Sequence, residues 1–233
     1  MTNNAWNESH VGTYSQYDNS ELDVIHPVIL RMVGEIKDRK VADYGCGEGK
    51  LVQELVEREA EVFGYDLSDS MISEAKKRIK DKAALKKIKS GVIPLPNNTL
   101  DAVVSNLVLM MCDSVEHIRE IHQEINRVLK PGGILAYCIT HPAFTDKTFT
   151  TYRNIFIGNR DYFQTAQQYQ FVLRRKDGTE VTDESFLDYH YSLSTYLNLS
   201  PENGFNFREL CEVSVPGNSL PPYIVVKSTK AGF

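Results

Sequence analysis

The chain has 233 residues, of which 42% are hydrophobic, and its formal net charge is -5. This length and apolar content suit one domain with a full core and leave little room for two independent domains. A negative overall field repels phosphate backbones and anionic membranes, so the composition argues against nucleic acid and against a membrane as partners.

The cysteines and the N-terminus indicate the compartment. Four cysteines lie far apart, without a Cys-x-x-Cys pair, in a chain that is long enough to fold without disulfides, and they are predicted to be reduced core thiols. The first ten residues lack the basic-then-apolar pattern of a signal peptide, and no apolar run approaches the length of a membrane span. We therefore expect a cytoplasmic protein.

Apolar runs alternate with helical periodicities along most of the chain, which is typical of a parallel sheet covered by helices. Helices are expected after the first strand, over 68–80 with Ser68 as N-cap, along an apolar stripe from Val115 to Leu129, and over 192–199. The predicted strands are 40–45, 61–66, 84–90, 101–111, 134–140, 206–214 and 223–229.

The alternation breaks between residues 141 and 190, a segment rich in Tyr and Phe. Residues 167–190 have the pattern of a β-hairpin that turns at Asp177-Gly178. The segment is either a packed surface insertion or a lid over a ligand site. Because it follows directly from the carboxyl end of a strand, where parallel sheets bind ligands, we favour the lid.

Three glycines, Gly45, Gly47 and Gly49, occupy alternate positions between the first strand and the next helix. A loop of this kind turns tightly and lets the main chain approach a ligand closely. The second strand ends in Asp66, at the position where a carboxylate accepts hydrogen bonds from the ribose hydroxyls of a nucleoside. The alternative role for Asp66 is a helix cap, for which Ser68 is better placed. Together the features favour an adenosine cofactor.

The third glycine comes one residue too early for the dinucleotide pattern, and residues 43–49 instead resemble motif I of the class I S-adenosylmethionine-dependent methyltransferases, D/E-x-G-x-G-x-G. Residues 65–71, 93–110 and 125–135 also resemble family motifs around the second, fourth and fifth strands. The resemblance is to the small-molecule type. It implies an α/β fold with a doubly wound, mostly parallel, seven-stranded Rossmann-like sheet and an inserted aromatic β-hairpin lid.

The implied organisation is a single domain over 1–233, with an N-terminal cap and helix (1–39), a cofactor-binding core (40–140), the lid (141–190) and a final helix and strands (191–233). Asp43 and the glycine loop would hold the methionine end of S-adenosylmethionine, and Tyr14 and Tyr17 would close the site. Met71 is otherwise simply helix core, and Ser90 and Gly91 stand where many relatives have Asp. The implied cofactor-binding residues are Tyr14, Tyr17, Asp43, Gly45, Cys46, Gly47, Asp66, Leu67, Met71, Ser90, Gly91, Asn106 and Leu107.

Methyl transfer from a sulfonium is an in-line displacement, for which the protein mainly supplies alignment and a dry pocket. A base is needed only if the acceptor is a protonated amine or a neutral hydroxyl, and His141 and His190 are the candidates, although each is alternatively an ordinary structural histidine. No metal site is expected, because His117 and His122 share no helix face.

The acceptor is expected to be a small molecule with an amine, hydroxyl or aromatic carbon, and the product S-adenosylhomocysteine. RNA, including tRNA, is the alternative, since residues 76–89 hold eight Lys or Arg and one acid. That run has no aromatic residue to stack on a base, which favours a solvated face. The other alternative is a regulatory module that binds S-adenosylmethionine without catalysis.

Overall fold

The computed structural model describes residues 20–175, 177–180 and 186–232. Its main sheet has seven strands in the order β3-β2-β1-β4-β5-β10-β9. The first five are mutually parallel, and β10 runs antiparallel to both β5 and β9. The strands are β1 (Lys40–Tyr44), β2 (Glu61–Asp66), β3 (Ala84–Lys87), β4 (Leu100–Asn106), β5 (Leu129–Thr140), β9 (Phe205–Val213) and β10 (Tyr223–Lys230). The predicted doubly wound, mostly parallel Rossmann-like sheet is therefore confirmed.

Helices cover both faces of this sheet, because the strands are buried on both sides. On β1, Val41 packs in the core cluster that includes α1 to α3, whereas Ala42 and Tyr44 pack in the cluster that includes α4 and α5. The alternation of side chains along the strand divides the core into these two layers. The helices are α1 (Leu22–Val33), α2 (Lys50–Glu57), α3 (Asp69–Ile79), α4 (Val115–Val128) and α5 (Leu193–Glu202).

Two element boundaries differ from the sequence prediction. The fourth strand ends at Asn106 instead of Met111, because Leu107 takes a left-handed backbone with φ of 58° and a 3-10 turn, Leu109–Met111, follows. The fifth strand begins at Leu129, directly at the end of α4, because the residues before Pro131 favour extended backbone. The first change lengthens the loop that leaves β4 at the edge where the strands end, and the second removes the connection between α4 and β5.

The segment after β5 forms a second, antiparallel sheet in the order β6 (Tyr152–Phe156), β7 (Gln167–Leu173), β8 (Phe186–His190). The predicted hairpin is confirmed, since β7 and β8 pair and the N–H of Gly178 donates to the carbonyl of Arg175 within the turn. Its aromatic residues pack on the main sheet, as shown by the hydroxyl of Tyr152, which donates to the carbonyl of Pro222 at 3.0 Å.

The cysteines are all free in the structure. Cys46, Cys112 and Cys138 are buried, as expected, whereas Cys211 on the edge strand β9 is partly exposed. Among the described residues, none of the helices has the length and apolar character needed to cross a membrane.

Candidate active site

A cavity of about 200 Å³ opens where β1, β2 and β4 end at their carboxyl termini. Two groups of residues line it. The loop side is formed by Gly45, Gly47, Asp66, Leu67, Met71, Ser90, Asn106 and Leu107. The lid side is formed by Thr140, Phe171, Leu173, Phe186, Asp188 and Tyr223. The cavity is therefore enclosed partly by the parallel sheet and partly by the inserted sheet.

The glycine loop after β1 requires glycine for two different reasons. Gly45 has φ of 82°, and a Cβ atom there would lie 2.2 Å from Cγ2 of Val108, so any side chain would clash with a neighbour in the core. Gly47 has φ of 51° and open space where a Cβ would point. The first glycine thus permits close packing, and the second leaves room beside the cavity.

Asp66 joins this loop to the next one. Its Oδ2 accepts a hydrogen bond from the N–H of Gly47 at 2.9 Å, and its Oδ1 accepts from the N–H of Ser68 at 2.9 Å. Burial raises the pKa of the Asp66 carboxyl, and these backbone donors act in the opposite direction. Ser68 caps α3 by accepting from the N–H of Met71, so the prediction that Ser68, and not Asp66, is the helix cap is confirmed.

Two buried oxygen atoms near the ends of β1 and β4 receive no hydrogen bond from any residue that the structure describes. They are Oδ1 of Asp43 and Oδ1 of Asn106. Burial, with a further contribution from Asp66, raises the pKa of Asp43 to about 8. Buried acceptors without donors are costly, so Asn106, which lines the cavity, favours a ligand that carries hydrogen-bond donors. Asp43 lies beneath the glycine loop and does not itself line the cavity.

A polar chain lies at the end of the cavity after β3. The Ser90 hydroxyl is 2.6 Å from Nε2 of His117 and 3.4 Å from the Tyr44 hydroxyl, which accepts from the N–H of Gly91. Gly91 itself does not line the cavity. Tyr44 and His117 do line it, and sequence reasoning missed both because they come from β1 and α4, remote from the loop after β3.

Leu107 forms part of the cavity wall with its backbone in the left-handed region, at φ of 58°. A bulky residue at positive φ is a genuine outlier and costs on the order of 1 kcal/mol or more. Its N–H donates to the carbonyl of Cys138 on β5 at 3.0 Å, which holds the strained turn in place. Strain of this kind is concentrated at ligand sites.

The lid side carries one carboxylate, Asp188 of β8, together with Thr140 and with apolar and aromatic side chains. Asp188 is 6% exposed, and no side-chain hydrogen bond to its carboxylate comes from the described part of the chain. Burial raises the pKa of Asp188 to about 7. The sequence did not single it out, because an Asp within an aromatic strand has no motif of its own.

The two predicted histidine bases lie outside the cavity lining. Nε2 of His141 is 3.0 Å from Oε1 of Glu212, and its Nδ1 accepts from the N–H of Ala143. Nδ1 of His190 is 3.3 Å from the Thr145 hydroxyl, and its Nε2 is 3.0 Å from the Tyr162 carbonyl. Both nitrogens of each ring have a contact within the protein, so the geometry favours a structural role for the two histidines, and a role as base stays a prediction.

The remaining predicted residues are placed differently. The Cys46 thiol is buried, is 3.8 Å from the carbonyl of Gly47 and does not line the cavity. Tyr14 and Tyr17 lie outside the described residues. Met71 lines the cavity and is also buried in the core, so both of its expected roles are compatible with its position.

Comparison with known proteins agrees with this architecture. Residues 42–137 match the methyltransferase domain family. A malonyl-[acyl-carrier protein] O-methyltransferase of Enterobacter lignolyticus is 36% identical over 100 residues, which are 42% of this chain and 38% of that protein. The chain thus spans less than half the length of the first curated relatives that it matches.

Two further similarities extend over most of the chain. An uncharacterized methyltransferase of Geobacillus kaustophilus is 24% identical over 203 residues, 86% of each chain. The crystal structure of a putative S-adenosylmethionine-dependent methyltransferase from Listeria monocytogenes superposes with a TM-score of 0.71 at 22% identity, covering 91% of this chain and all of that one.

The sheet order, the glycine loop and the carboxylate at the end of β2 define a Rossmann-like methyltransferase fold. Residues 42–137 are similar to the methyltransferase domain family, and the chain shares its fold with a putative S-adenosylmethionine-dependent methyltransferase. The residues present fit S-adenosylmethionine, because Gly47 leaves open space beside the cavity and Oδ1 of Asn106, which lacks a donor among the described residues, would accept from the ammonium group of its methionine end.

Proposed function

We propose that this protein transfers the methyl group of S-adenosylmethionine to a small-molecule acceptor. The observation that carries the proposal is a cavity lined on its loop side by Gly45, Gly47 and Asp66, and on its lid side by the inserted sheet together with Thr140 and Tyr223 of the main sheet. A cavity of about 200 Å³ with an aromatic wall suits a small, partly apolar molecule better than a nucleic-acid strand.

The loop side would hold the cofactor. Asp66 would accept from the ribose hydroxyls, since a carboxylate has about four acceptor positions and the backbone N–H groups of Gly47, Ser68 and Leu67 do not use all of them. The Gly45 and Gly47 backbone, with Asp43, would hold the methionine end. When bound, S-adenosylmethionine supplies a methyl group already activated by a sulfonium, so the chain's residues align the partners and exclude water.

Leu67 and Met71 would pack against the adenine, and Ser90 would face its polar edge. Ser90 is held by His117 and Tyr44, and this polar chain takes the place of the Asp that many relatives have after the third strand. Asn106 and Leu107 would form the floor near the sulfonium. The strained backbone of Leu107 supports this position, because such strain is retained where a ligand needs it.

The test is a labelling experiment. We would incubate the protein with S-adenosylmethionine labelled on the methyl group and with a cell extract divided into small molecules, RNA and protein. Label in the small-molecule fraction is the expected result. Label in RNA would support the alternative acceptor, and binding of S-adenosylhomocysteine without any transfer would support a regulatory module. The matched control is Asp66→Ala, which should abolish labelling in every fraction.

A further inference from the structure

We propose that the acceptor is an amine on an apolar body, and that Asp188 binds its nitrogen and receives the proton that the nitrogen loses. This inference rests on the proposed methyl transfer and narrows the acceptor to one chemical class.

The first observation is the position of Asp188. It lines the cavity from β8, is 6% exposed, and receives no side-chain hydrogen bond from the residues that the structure describes. A buried carboxylate without a partner is costly, and native proteins retain such a group where a ligand completes it. An ammonium group offers up to three N–H donors and the opposite charge.

The second observation is the charge of the cavity wall. Among the described residues that line the cavity, none is Lys or Arg, whereas Glu21, Asp66 and Asp188 are acids. With Asp66 assigned to the ribose, the remaining wall has no cation to pair with an acidic acceptor. A carboxylate or phosphate would be repelled there, and a cation would be attracted.

The third observation is the apolar surface beside Asp188. Phe171, Leu173, Phe186 and Tyr223 line the same side of the cavity. Aromatic faces attract cations and also bury an apolar body. The wall therefore fits an amine that carries an aryl or alkyl group, with the nitrogen directed to the carboxylate.

The chemistry balances without a further reactant. The acceptor arrives as an ammonium, and its proton passes to the Asp188 carboxylate, which leaves a lone pair on the nitrogen. That pair forms the new N–C bond as the C–S bond breaks, and its electrons return to sulfur as a neutral thioether. Burial raises the pKa of Asp188 to about 7, which brings the carboxyl closer to an amine in proton affinity.

The experiment uses three probes that share a phenylpropyl framework and differ in the terminal group: 3-phenylpropylamine, 3-phenylpropanol and 3-phenylpropanoate. Each is titrated calorimetrically into the full chain saturated with S-adenosylhomocysteine. We expect the amine to bind roughly tenfold or more tightly than either other probe, because only the amine makes a charge-assisted bond to Asp188. Asp188→Asn should remove that preference and leave S-adenosylhomocysteine affinity within about twofold, a difference under 1 kcal/mol.

The control variant is Glu21→Gln, which neutralises the other acid of the wall and should keep the preference. Three outcomes would overturn the assignment. The alcohol or the acid binds as tightly as the amine or more tightly, the amine does not bind to a protein that binds S-adenosylhomocysteine, or the preference is lost in Glu21→Gln alone. If wild type fails to bind S-adenosylhomocysteine at all, the proposed function itself is wrong. Methylation of the amine in the wild type, lost in Asp188→Asn, would support the proton transfer.

Discussion

The two sides of the cavity are built in different ways. The loop side is made by backbone: Gly45 has no room for a side chain, and Asp66 is fixed by the N–H groups of Gly47 and Ser68. The lid side is made by large side chains around Asp188, whose carboxylate has no such partners in the described chain. Both sides carry an acceptor that a ligand would satisfy, Asn106 on the loop side and Asp188 on the lid side, but only the loop side has its carboxylate fixed by backbone N–H groups.

The difference teaches how specificity is divided in this molecule. Under the proposed function, the cofactor would be held by backbone geometry, which tolerates little change. An acceptor is selected by side chains, which can be exchanged without changing the sheet. Four predictions test the division, from the largest expected effect to the smallest.

Asp66→Ala should weaken the binding of S-adenosylmethionine and S-adenosylhomocysteine by roughly a hundredfold or more, because two charge-assisted hydrogen bonds to the ribose are lost. The loop should also loosen, since the Gly47 and Ser68 N–H groups lose their acceptor. Calorimetric titration with both ligands and with NAD measures the effect.

The matched control is Asp69→Ala, which removes an exposed carboxylate that pairs with Lys87. It should leave affinity almost unchanged and cost little stability, because exposed ion pairs contribute little. If Asp66→Ala, still folded, binds both sulfur ligands within about threefold of wild type, a difference under 1 kcal/mol, the ribose assignment is wrong. Tight NAD binding by the wild type would instead indicate a dinucleotide site.

Asp188→Asn should make the protein less sensitive to pH. Burial raises the folded-state pKa of Asp188 to about 7, so its protonated form stabilises the fold fully below the unfolded-state pKa of about 4, and that contribution is lost as pH rises through 7. Between pH 5 and 8 the wild type should lose about 2 to 3 kcal/mol of unfolding free energy relative to the variant. Urea unfolding at both pH values measures it.

The assignment to Asp188 depends on its neighbours. Burial raises the pKa of the ionisable groups nearest to Asp188, so these groups stay neutral between pH 5 and 8. Glu21 and His117 line the same cavity, but both are present in the wild type and in Asp188→Asn, so they do not contribute to the difference. The neutral neighbours are Cys112, Tyr152, Tyr169 and Tyr196. Asp177→Asn is the opposite control, because its hydrogen bonds to Thr179 lower the pKa of Asp177 and its stabilisation is lost on acidification. Equal pH sensitivity of wild type and Asp188→Asn would contradict the burial of an ionisable carboxyl there.

Binding of S-adenosylmethionine should release protons at pH 7. The pKa of Asp43 is raised to about 8, first by burial and then by Asp66. A cationic ligand near these acids favours the ionised form, so a fraction of a proton should leave on binding. Titrations in phosphate and in Tris, which differ in ionisation heat, should give different apparent enthalpies, and Asp43→Asn should remove most of the difference. Heats that do not depend on the buffer in wild type would place the ligand's positive charge away from Asp43.

The contrast between the loop side and the lid side also explains which site residues could be predicted from the sequence. Gly45, Ser68 and Asp66 were found because each imposes a local constraint, a positive φ, a helix cap or a strand end, that leaves a pattern within a few residues. Asp188 and Tyr223 face the same cavity from strands far apart in the chain, so their meeting depends on how the inserted sheet packs. No short pattern records that packing.

His141 shows the limit of choosing a residue by its chemistry alone. Histidine as a residue type suits acid–base chemistry, and His141 has a suitable place in the chain just beyond β5, yet its ring contacts Glu212 and the N–H of Ala143 at the start of a 3-10 turn. Leu107 shows the reverse case. Its apolar side chain predicted a continuing strand, and the left-handed backbone that ends β4 is imposed by tertiary contacts.

The smallest predicted effect tests that strained residue. Leu107→Ala and Leu107→Gly both remove the side chain, and at an ordinary position the Gly variant would be the less stable of the two. Because φ is 58° at Leu107, the order should reverse, and Leu107→Gly should be more stable than Leu107→Ala by on the order of 1 kcal/mol. Leu67, which also lines the cavity but is absent from the residues with positive φ, is the matched control and should show the usual order. Urea unfolding of the four variants decides between them. The usual order at both positions would mean that the turn after β4 relaxes freely, and the wall of the cavity would then owe its shape to packing alone.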